Sequence, residues 1–233
     1  MKFLKFFIIV FITLISPIKA DLNQNLLNQL KDGGKLIFIR HAYAPGSGDP
    51  NNFKLNDCST QRNLSEDGRR QAKYIGEFFK KNKIKIDKVL SSEWCRCKET
   101  AKIAFNDFST NNFLNSFYSS KHAKNKDKQV EALNNYMRNF KSDKNLILVT
   151  HYVLIFEVLN YAPSSGEIVV SDKNFNIIGS VEIDYWILCH QSEQWNKHKS
   201  KLTLNIEAIL QIIDLEIEKK IFLRRIKKVN FLF

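Results

Sequence analysis

The sequence predicts an α/β domain with a mostly parallel central sheet, because short apolar runs alternate with amphipathic helical segments. Three of these runs are rich in β-branched residues, and they span residues 35–40, 86–91 and 145–150. Each run leads to cationic or titratable side chains, which are Arg40, His41, Arg96 and His151. Ligands of open α/β sheets bind beyond the carboxyl ends of the strands, so we predict that the four side chains meet in one pocket. Two guanidinium groups and two imidazoles around one point suit a phosphoryl group, with a histidine available as nucleophile.

The remaining elements follow from hydrophobic periodicity and from turn residues. Helices are predicted at residues 21–33, 66–81, 93–105, 128–141 and 153–160. Ser92 is predicted to cap the third of these helices. The other predicted elements are a strand at 113–118, a charged loop at 121–128, and a closing hairpin of 167–170 and 177–183. The long loop at 42–64 is rich in Gly, Pro, Asn and Asp, and long loops in compact domains are often functional.

The two ends of the chain differ in character from the predicted domain, which spans residues 21–183. Residues 1–20 carry two lysines among the first five residues. An apolar run that is short for a membrane span follows, and the segment ends on Ala20. This layout predicts a secretory signal peptide, cleavage after Ala20 and export to the periplasm, with an uncleaved membrane anchor as the alternative. Residues 184–233 form a basic extension with an amphipathic helix predicted at 204–222. We expect the extension to pack on the domain, and the alternatives are pairing with a partner or weak contact with an anionic membrane.

The formal net charge of the chain is +12, which raises the question of a polyanionic partner. The lysines are spread along the sequence, and neither an RNA-recognition signature nor zinc-finger spacing is present. We therefore predict no nucleic-acid partner. A basic field would still concentrate a small phosphorylated substrate near the pocket.

Export would place the four cysteines in an oxidising compartment, where disulfides persist. Cys95 and Cys97 flank Arg96, and Cys58 lies in the long loop after the first strand. Because these segments are predicted to converge, we expect a disulfide between Cys58 and one of the other two. The spacing of the cysteines does not fit a zinc site.

Four segments of the chain resemble the signatures of the histidine phosphatase superfamily. The segments are residues 36–42 with Arg-His, 61–72 with Gln-Ala opening a helix, 89–101 with Ser-Ser, Arg and Thr-Ala, and 148–151 with the second His. Their order and spacing agree with that superfamily over about residues 35–183. A lone Arg-His pair is a weak signal, whereas four ordered segments together are a specific one.

The resemblance implies a three-layer α/β/α fold and a phosphohistidine mechanism that needs neither a metal nor another cofactor. In such a mechanism His41 is the nucleophile, and Arg40 and Arg96 hold the phosphate oxygens. His151 lies opposite and stabilises the charge of the phosphoryl group in transfer. Arg62 is either a third arginine at the phosphate or a contact between the loop and the following helix.

The chain departs from the superfamily pattern chiefly at the general acid. His151 is followed by Tyr152, so the acid of one branch is missing, and residues 114–118 lack the carboxylate of the other branch. Glu93 and Glu167 are the remaining carboxylate candidates. The other three histidines, which are His122, His190 and His198, show no context that predicts a site role.

Together these features predict an exported phosphatase that acts on a small phosphomonoester or a phosphorylated cell-envelope sugar. A phosphohistidine-protein phosphatase is a second enzymatic interpretation, which export disfavours. A phosphate-binding protein without turnover is the alternative from another class, because the pocket residues are present while the acid is missing. Mutase activity is disfavoured by the missing acid and by export.

Overall fold

The computed structural model describes residues 24–183. The predicted signal peptide (1–20) and the predicted C-terminal extension (184–233) lie outside the described residues. Within the described range, no helix combines the length and the apolar character needed to cross a bilayer.

The described residues form six helices and six strands. The helices are α1 Gln24–Asp32, α2 Glu66–Lys81, α3 Cys95–Phe105, α4 Ser120–Ala123, α5 Lys126–Arg138 and α6 Tyr152–Leu159. The strands are β1 Leu36–Arg40, β2 Ile86–Ser91, β3 Ser109–Thr110, β4 Asn145–Thr150, β5 Ile168–Ser171 and β6 Ile177–Val181. Two short 3₁₀ turns span Cys58–Thr60 and Asn112–Leu114.

The six strands form one sheet in the order β3-β2-β4-β1-β5-β6. The first four strands in this order run parallel, and β5 and β6 complete the sheet as an antiparallel hairpin. The central strands β1 and β4 are buried along most of their length, as expected for strands covered on both faces. The predicted α/β class with a mostly parallel sheet is confirmed.

Alternate residues of the central strands build two separate cores, one on each face of the sheet. On one face Ile37 and Ile39 pack with apolar residues of α1, α2 and α3. On the other face Leu36 and Phe38 pack with residues of α5 and α6. This alternation follows from the two-residue period of a strand and produces the predicted three layers.

The start of α2 fixes the path of the loop that leaves β1. The Ser65 hydroxyl caps this helix by accepting a hydrogen bond from the Gly68 N–H. Any Cβ at Gly68 would collide with the backbone carbonyl of Tyr43, so only glycine permits this close approach. The Gln71 carboxamide then accepts a hydrogen bond from the Tyr43 N–H and donates one to the Ser165 carbonyl. The loop that carries the first pocket residues is therefore held against a helix N-terminus.

The strand predicted at 113–118 is wrong, because the strand in this region is the two-residue β3 and the predicted range begins with a 3₁₀ turn. The Asn111 side chain accepts a hydrogen bond from the Phe113 N–H and so starts the turn. The turn places both Phe113 and Leu114 in the same core. Side-chain caps from asparagine therefore override the apolar pattern that favoured a strand.

Two neighbouring details also differ from the sequence prediction. Ser92 does not cap α3, because the helix begins three residues later and its N-cap Trp94 makes no side-chain capping bond. The charged stretch 121–128 is not a loop throughout, since it contains most of α4 and the first turn of α5. The charges on this stretch belong to exposed helical faces, which a composition argument cannot separate from a loop.

Asn145 joins three elements at the amino ends of the strands. Its carboxamide accepts a hydrogen bond from the Lys35 N–H at 3.1 Å. Its amide nitrogen donates to the carbonyls of Leu30 and Lys85 at 2.7 and 2.9 Å. The residue is fully buried, so each of these bonds lacks competition from water.

We predict that Asn145→Asp lowers the free energy of unfolding by about 3 kcal/mol, because a carboxylate would face two carbonyl oxygens in a buried position. Asn135→Asp, on the exposed face of α5, is the matched control and should cost less than about 0.5 kcal/mol. Urea denaturation of the full chain measures both values. Equal losses in the two variants would contradict the structural role of Asn145.

Candidate active site

The parallel pairing of β1 with β4 brings the two predicted histidines side by side. Arg40 pairs with Thr150 at the ends of the strands, so His41 and His151 follow at equivalent positions. The His41 N–H donates a hydrogen bond to the Thr150 carbonyl at 2.9 Å. The two imidazole centroids are 5.5 Å apart with an angle of 67° between the rings. Both side chains are buried.

The His41 ring is held in one tautomer. Its Nδ1 lies 2.8 Å from the Ala42 carbonyl oxygen, and a carbonyl can only accept, so Nδ1 carries the proton. The lone pair is therefore on Nε2. Burial and the nearby Arg96 charge hold the pKa of His41 well below its ordinary 6.5. A neutral imidazole with a free Nε2 is the form that a nucleophilic histidine requires.

His151 is likewise neutral and is held by its neighbours. Burial, followed by the charge of Arg96, keeps its pKa well below 6.5. Its Nε2 lies 2.9 Å from the Ser92 hydroxyl and 3.4 Å from the Cys97 sulfur. Burial raises the pKa of the Cys97 thiol to about 12, so the sulfur stays protonated beside the ring. Ser92, predicted as a helix cap, is instead a partner of the second histidine.

Arg96 enters the pocket as one half of a buried ion pair with Asp49. Its two terminal nitrogens donate to the two carboxylate oxygens of Asp49 at 2.7 and 3.2 Å. The same carboxylate accepts bonds from the Trp94 indole N–H and the Arg62 backbone N–H. Burial opposes ionisation of Asp49, but the bonds and the charge of Arg96 outweigh it, and the pKa of Asp49 lies below its ordinary 3.8. Asp49 is a site residue that the sequence analysis missed.

Arg40 lies at the end of β1 and lines the same cavity. It donates one bond to the Pro163 carbonyl at 2.8 Å, and its guanidinium lies 5.7 Å above the centre of the Tyr152 ring. The Nε atoms of Arg40 and Arg96 are buried and have no hydrogen-bond partner among residues 24–183. Buried donors are normally paired, so these two N–H groups indicate that the pocket is built for an acceptor.

Arg62 holds the long loop in place. Its Nε donates to the Gly48 carbonyl at 2.8 Å, and Nη1 donates to the Ala44 carbonyl. Its own carbonyl accepts a bond from Arg96. Arg62 also lines the cavity. The structure therefore shows the loop contact, while a contact between Arg62 and phosphate stays a prediction.

These side chains line one cavity of about 410 Å³, which is far larger than a phosphoryl group needs. Arg40, His41, Arg62, Arg96 and His151 all reach it. Its lining includes four cationic side chains, the fourth being Lys121, and one carboxylate, Asp49. Such a surplus of positive charge in a recess attracts a phosphate dianion.

The cavity has an aromatic wall, which we define as Phe53, Trp94 and His122. The Phe53 and Trp94 rings stack at 5.1 Å, and the His122 ring meets both edge-on. The segment around His122 carries no motif, so the sequence did not predict a site role for this residue. Its only sequence signal is its position in the connection between β3 and β4, whose length allows it to reach the carboxyl edge of the sheet.

Neither carboxylate proposed as the general acid lines this cavity. The Glu93 carboxylate accepts a bond from the Asn115 side chain at 2.6 Å. The buried Glu167 carboxylate accepts bonds from the Tyr161 hydroxyl and the Ser164 N–H. Both groups thus stabilise loops beside the pocket, and neither is placed to reach a substrate.

The disulfide joins Cys58 to Cys95, which decides between the two pairings that the sequence left open. It ties the 3₁₀ turn of the long loop to the first residue of α3, next to Arg96. Gln61 reinforces the link by accepting a bond from the Cys95 N–H at 2.9 Å. Cys97 remains a buried thiol. In the part of the chain that the structure describes, no three His, Cys, Asp or Glu side chains cluster as metal ligands.

Fold and pocket together define an α/β protein with a cationic, histidine-containing site at the carboxyl edge of its parallel strands. Residues 36–116 match the family model of the histidine phosphatase superfamily (branch 1). The matched superfamily is the one that the sequence resembles, and the match covers about a third of the chain. The match includes Arg40, His41, Arg62 and Arg96. His151 lies outside the matched residues and reaches the pocket through the pairing of β1 with β4.

Curated relatives match a similar stretch. The serine/threonine-protein phosphatase Pgam5, mitochondrial, of Drosophila pseudoobscura pseudoobscura is 35% identical over 103 residues, which are 41% of this chain and 33% of that protein. Its counterpart in Drosophila virilis is 34% identical over 102 residues, which are 40% of this chain and 32% of that protein. The match thus spans about a third of the length of these relatives.

Solved structures with a similar arrangement include the protein histidine phosphatase SixA complexed with tungstate. Its TM-score is 0.45 at 14% identity, over 64% of this chain and 96% of SixA. A mutant phosphoserine phosphatase from Entamoeba histolytica in complex with phosphoserine gives a TM-score of 0.47 at 15% identity, over 65% and 98% of the two chains.

We predict that His41 and His151 both stay unprotonated as the pH falls through 6.5, because their pKa values lie well below that value. In the unfolded chain both take up a proton near 6.5, so stability should decrease below this pH by up to about 1.4 kcal/mol per pH unit for each ring. NMR titration of the imidazoles, assigned with His41→Asn and His151→Asn, measures the pKa values. Protonation of either ring near pH 6.5 would contradict the burial argument.

Proposed function

We propose that this chain is a phosphoric monoester hydrolase that works through a phosphohistidine on His41. The observation that carries this proposal is the pairing of a neutral imidazole, whose Nε2 is free, with two arginines whose buried Nε–H groups are unpaired among the described residues. Phosphoryl transfer depends mainly on positioning and charge neutralisation, and this pocket supplies both. The family match and the phosphatase names of the curated relatives support the same class.

The reaction divides into two transfers. In the first, the Nε2 lone pair of His41 attacks phosphorus, a P–N bond forms and the P–O bond to the leaving group breaks. Arg40 and Arg96 hold the other phosphate oxygens by charge-assisted bonds, and His151 stabilises the phosphoryl group from the neighbouring position. In the second, water attacks phosphorus, the P–N bond breaks, and inorganic phosphate leaves.

We infer that the substrate is a small phosphomonoester, such as a phosphorylated sugar of the cell envelope, met outside the cytoplasm. The cavity has room for a leaving group beyond the phosphoryl site, and its aromatic wall suits a ring-shaped partner. The Cys58–Cys95 disulfide and the signal-like layout of residues 1–20 support export of a bacterial-type protein.

A phosphate-binding protein without turnover is the second candidate. The observation in its favour is that the carboxylate lining the cavity, Asp49, is bound to Arg96 and ionised, so it offers no proton to a leaving group. Binding and turnover are separated by the assays below.

We predict that the purified full chain hydrolyses p-nitrophenyl phosphate in the presence of a metal chelator and that His41→Ala loses at least about 1,000-fold in kcat/KM. The variant lacks the nitrogen that accepts the phosphoryl group. Phosphate release measures the rates, and an acid-labile phosphoryl group on His41 in the quenched parent reports the intermediate.

The control compares Arg96→Ala with Arg70→Ala, which alters an exposed arginine of α2. Arg96→Ala should weaken binding of inorganic phosphate by at least about tenfold, and Arg70→Ala should leave it unchanged. Phosphate binding by a parent without turnover would favour the binding protein. Equal hydrolysis by the parent and His41→Ala would contradict the proposed mechanism.

Export has its own test in a bacterial host with two membranes. We expect the full chain to accumulate in the periplasm with Asp21 as its first residue, whereas a chain that lacks residues 1–20 stays in the cytoplasm. Cell fractionation and N-terminal sequencing measure this outcome. An intact N-terminus in the membrane fraction would favour the anchor, and a cytoplasmic full chain would contradict export.

A further inference from the structure

We propose that His122 donates the proton to the leaving-group oxygen when His41 takes the phosphoryl group. This inference rests on the proposed function and assigns the general acid that the sequence leaves open. It concerns a residue of the aromatic wall that belongs to α4 rather than to the strand ends.

The position of His122 fits a leaving-group acid. The Trp94 ring contacts two imidazoles, with its centre 5.4 Å from that of His151 and 5.5 Å from that of His122. His151 lies at the strand ends, while His122 lines the same cavity from α4. A substrate whose phosphoryl group rests near His41 extends its leaving group into the space that this wall encloses.

Neighbouring rings hold the plane of the His122 ring, while its nitrogens are not engaged by the described residues. It packs edge-on against Phe53 at 5.8 Å and against Trp94 at 5.5 Å, with interplanar angles of 80° and 77°. Within residues 24–183 neither ring nitrogen makes a hydrogen bond. The contacts fix the plane of the ring and leave its N–H groups available to a ligand.

The other candidate acids are already engaged. Glu93 and Glu167 do not line the cavity, and the Asp49 carboxylate is ionised by its bond to Arg96. Of the three imidazoles in the lining, His41 serves as nucleophile and His151 is bonded to Ser92. His122 is the remaining group whose ordinary pKa lies close to physiological pH.

The charges around His122 set the pH at which it can act. Burial lowers its pKa, and Lys121 and Lys124 on its own segment lower it further, whereas Asp49 on the long loop raises it. Phe53 and Trp94 contribute no charge. Its pKa therefore lies below 6.5, while that of the more deeply buried His41 lies well below 6.5. Because His41 is the more deeply buried ring, His122 is expected to take up its proton first as the pH falls, while His41 stays neutral, as an acid and a nucleophile must.

The proposed step balances in atoms and charge. The His41 nitrogen forms a bond to phosphorus as the ester P–O bond breaks, and the electron pair of that bond stays on the leaving oxygen. The His122 N–H proton moves to this oxygen, so an alcohol leaves and His122 becomes neutral. In the second step His122 accepts a proton from the attacking water and returns to its acid form.

The test compares leaving groups in the parent, His122→Gln and His122→Phe. The substrates are p-nitrophenyl phosphate, phenyl phosphate and glycerol 2-phosphate, and kcat/KM is measured because it reports the first transfer. We expect both variants to lose about 100-fold or more on the alkyl ester and much less on the nitrophenyl ester, whose leaving group needs no proton. His122→Phe keeps the ring packing, so a loss shared with His122→Gln is not a packing effect.

The pH profile gives a second readout. In the parent, kcat/KM for the alkyl ester should fall as the pH rises through the pKa of His122, and this limb should be missing in both variants. Lys128→Gln, at an exposed position of α5, is the matched control and should behave as the parent. Equal losses on all three esters, or an unchanged pH limb, would overturn the role of His122 while the phosphatase stands. No hydrolysis of any ester by the parent would overturn both proposals.

Discussion

The parallel pairing of β1 with β4 is the constraint on which the site depends. It places His41 and His151 one residue beyond the same edge of the sheet, and the His41 N–H bond to the Thr150 carbonyl extends the pairing by that residue. A slip of either strand by one residue would turn the histidine that follows it to the other face of the sheet and away from the cavity. The pairing is secured by burial, because alternate residues of both strands belong to the two cores. The packing of the two cores therefore also fixes the relative positions of the two histidines.

Collecting several cations in a recess costs free energy, and the structure offsets that cost in two ways. Asp49 neutralises Arg96 by a bidentate pair, while the two central imidazoles stay uncharged because they are buried. An incoming phosphate dianion meets arginines whose Nε–H groups are unpaired within residues 24–183. The Cys58–Cys95 link fixes the start of α3 and thus the backbone of Arg96, so the orientation of the guanidinium does not rely on the ion pair alone.

The strand-end residues could be predicted from the sequence because each follows a buried apolar run. The carboxyl ends of parallel strands meet at one edge of the sheet, so these residues come together there. Asp49 and His122 could not, since both reach the cavity from irregular or short elements whose path is set by side-chain bonds. The Arg62 bonds to the loop carbonyls place Asp49, and the Asn111 cap turns the chain that leads to His122. The strand predicted at 113–118 is wrong for the same reason: a local asparagine bond outweighs an apolar pattern. Local polar bonds of this kind leave no periodic signal.

Burial and the charge of Arg96 lower the pKa of both His41 and His151, so both rings are neutral near neutral pH. The loss of solvation and the field of the arginines both oppose a second proton on either ring. The proposed proton donor, His122, is less buried than the two central imidazoles, and burial lowers its pKa less than theirs. The connection between β3 and β4 carries His122, which lies on the aromatic wall beside the lysines that modulate its proton affinity. The degree to which each imidazole is buried thus determines how readily it takes up a proton.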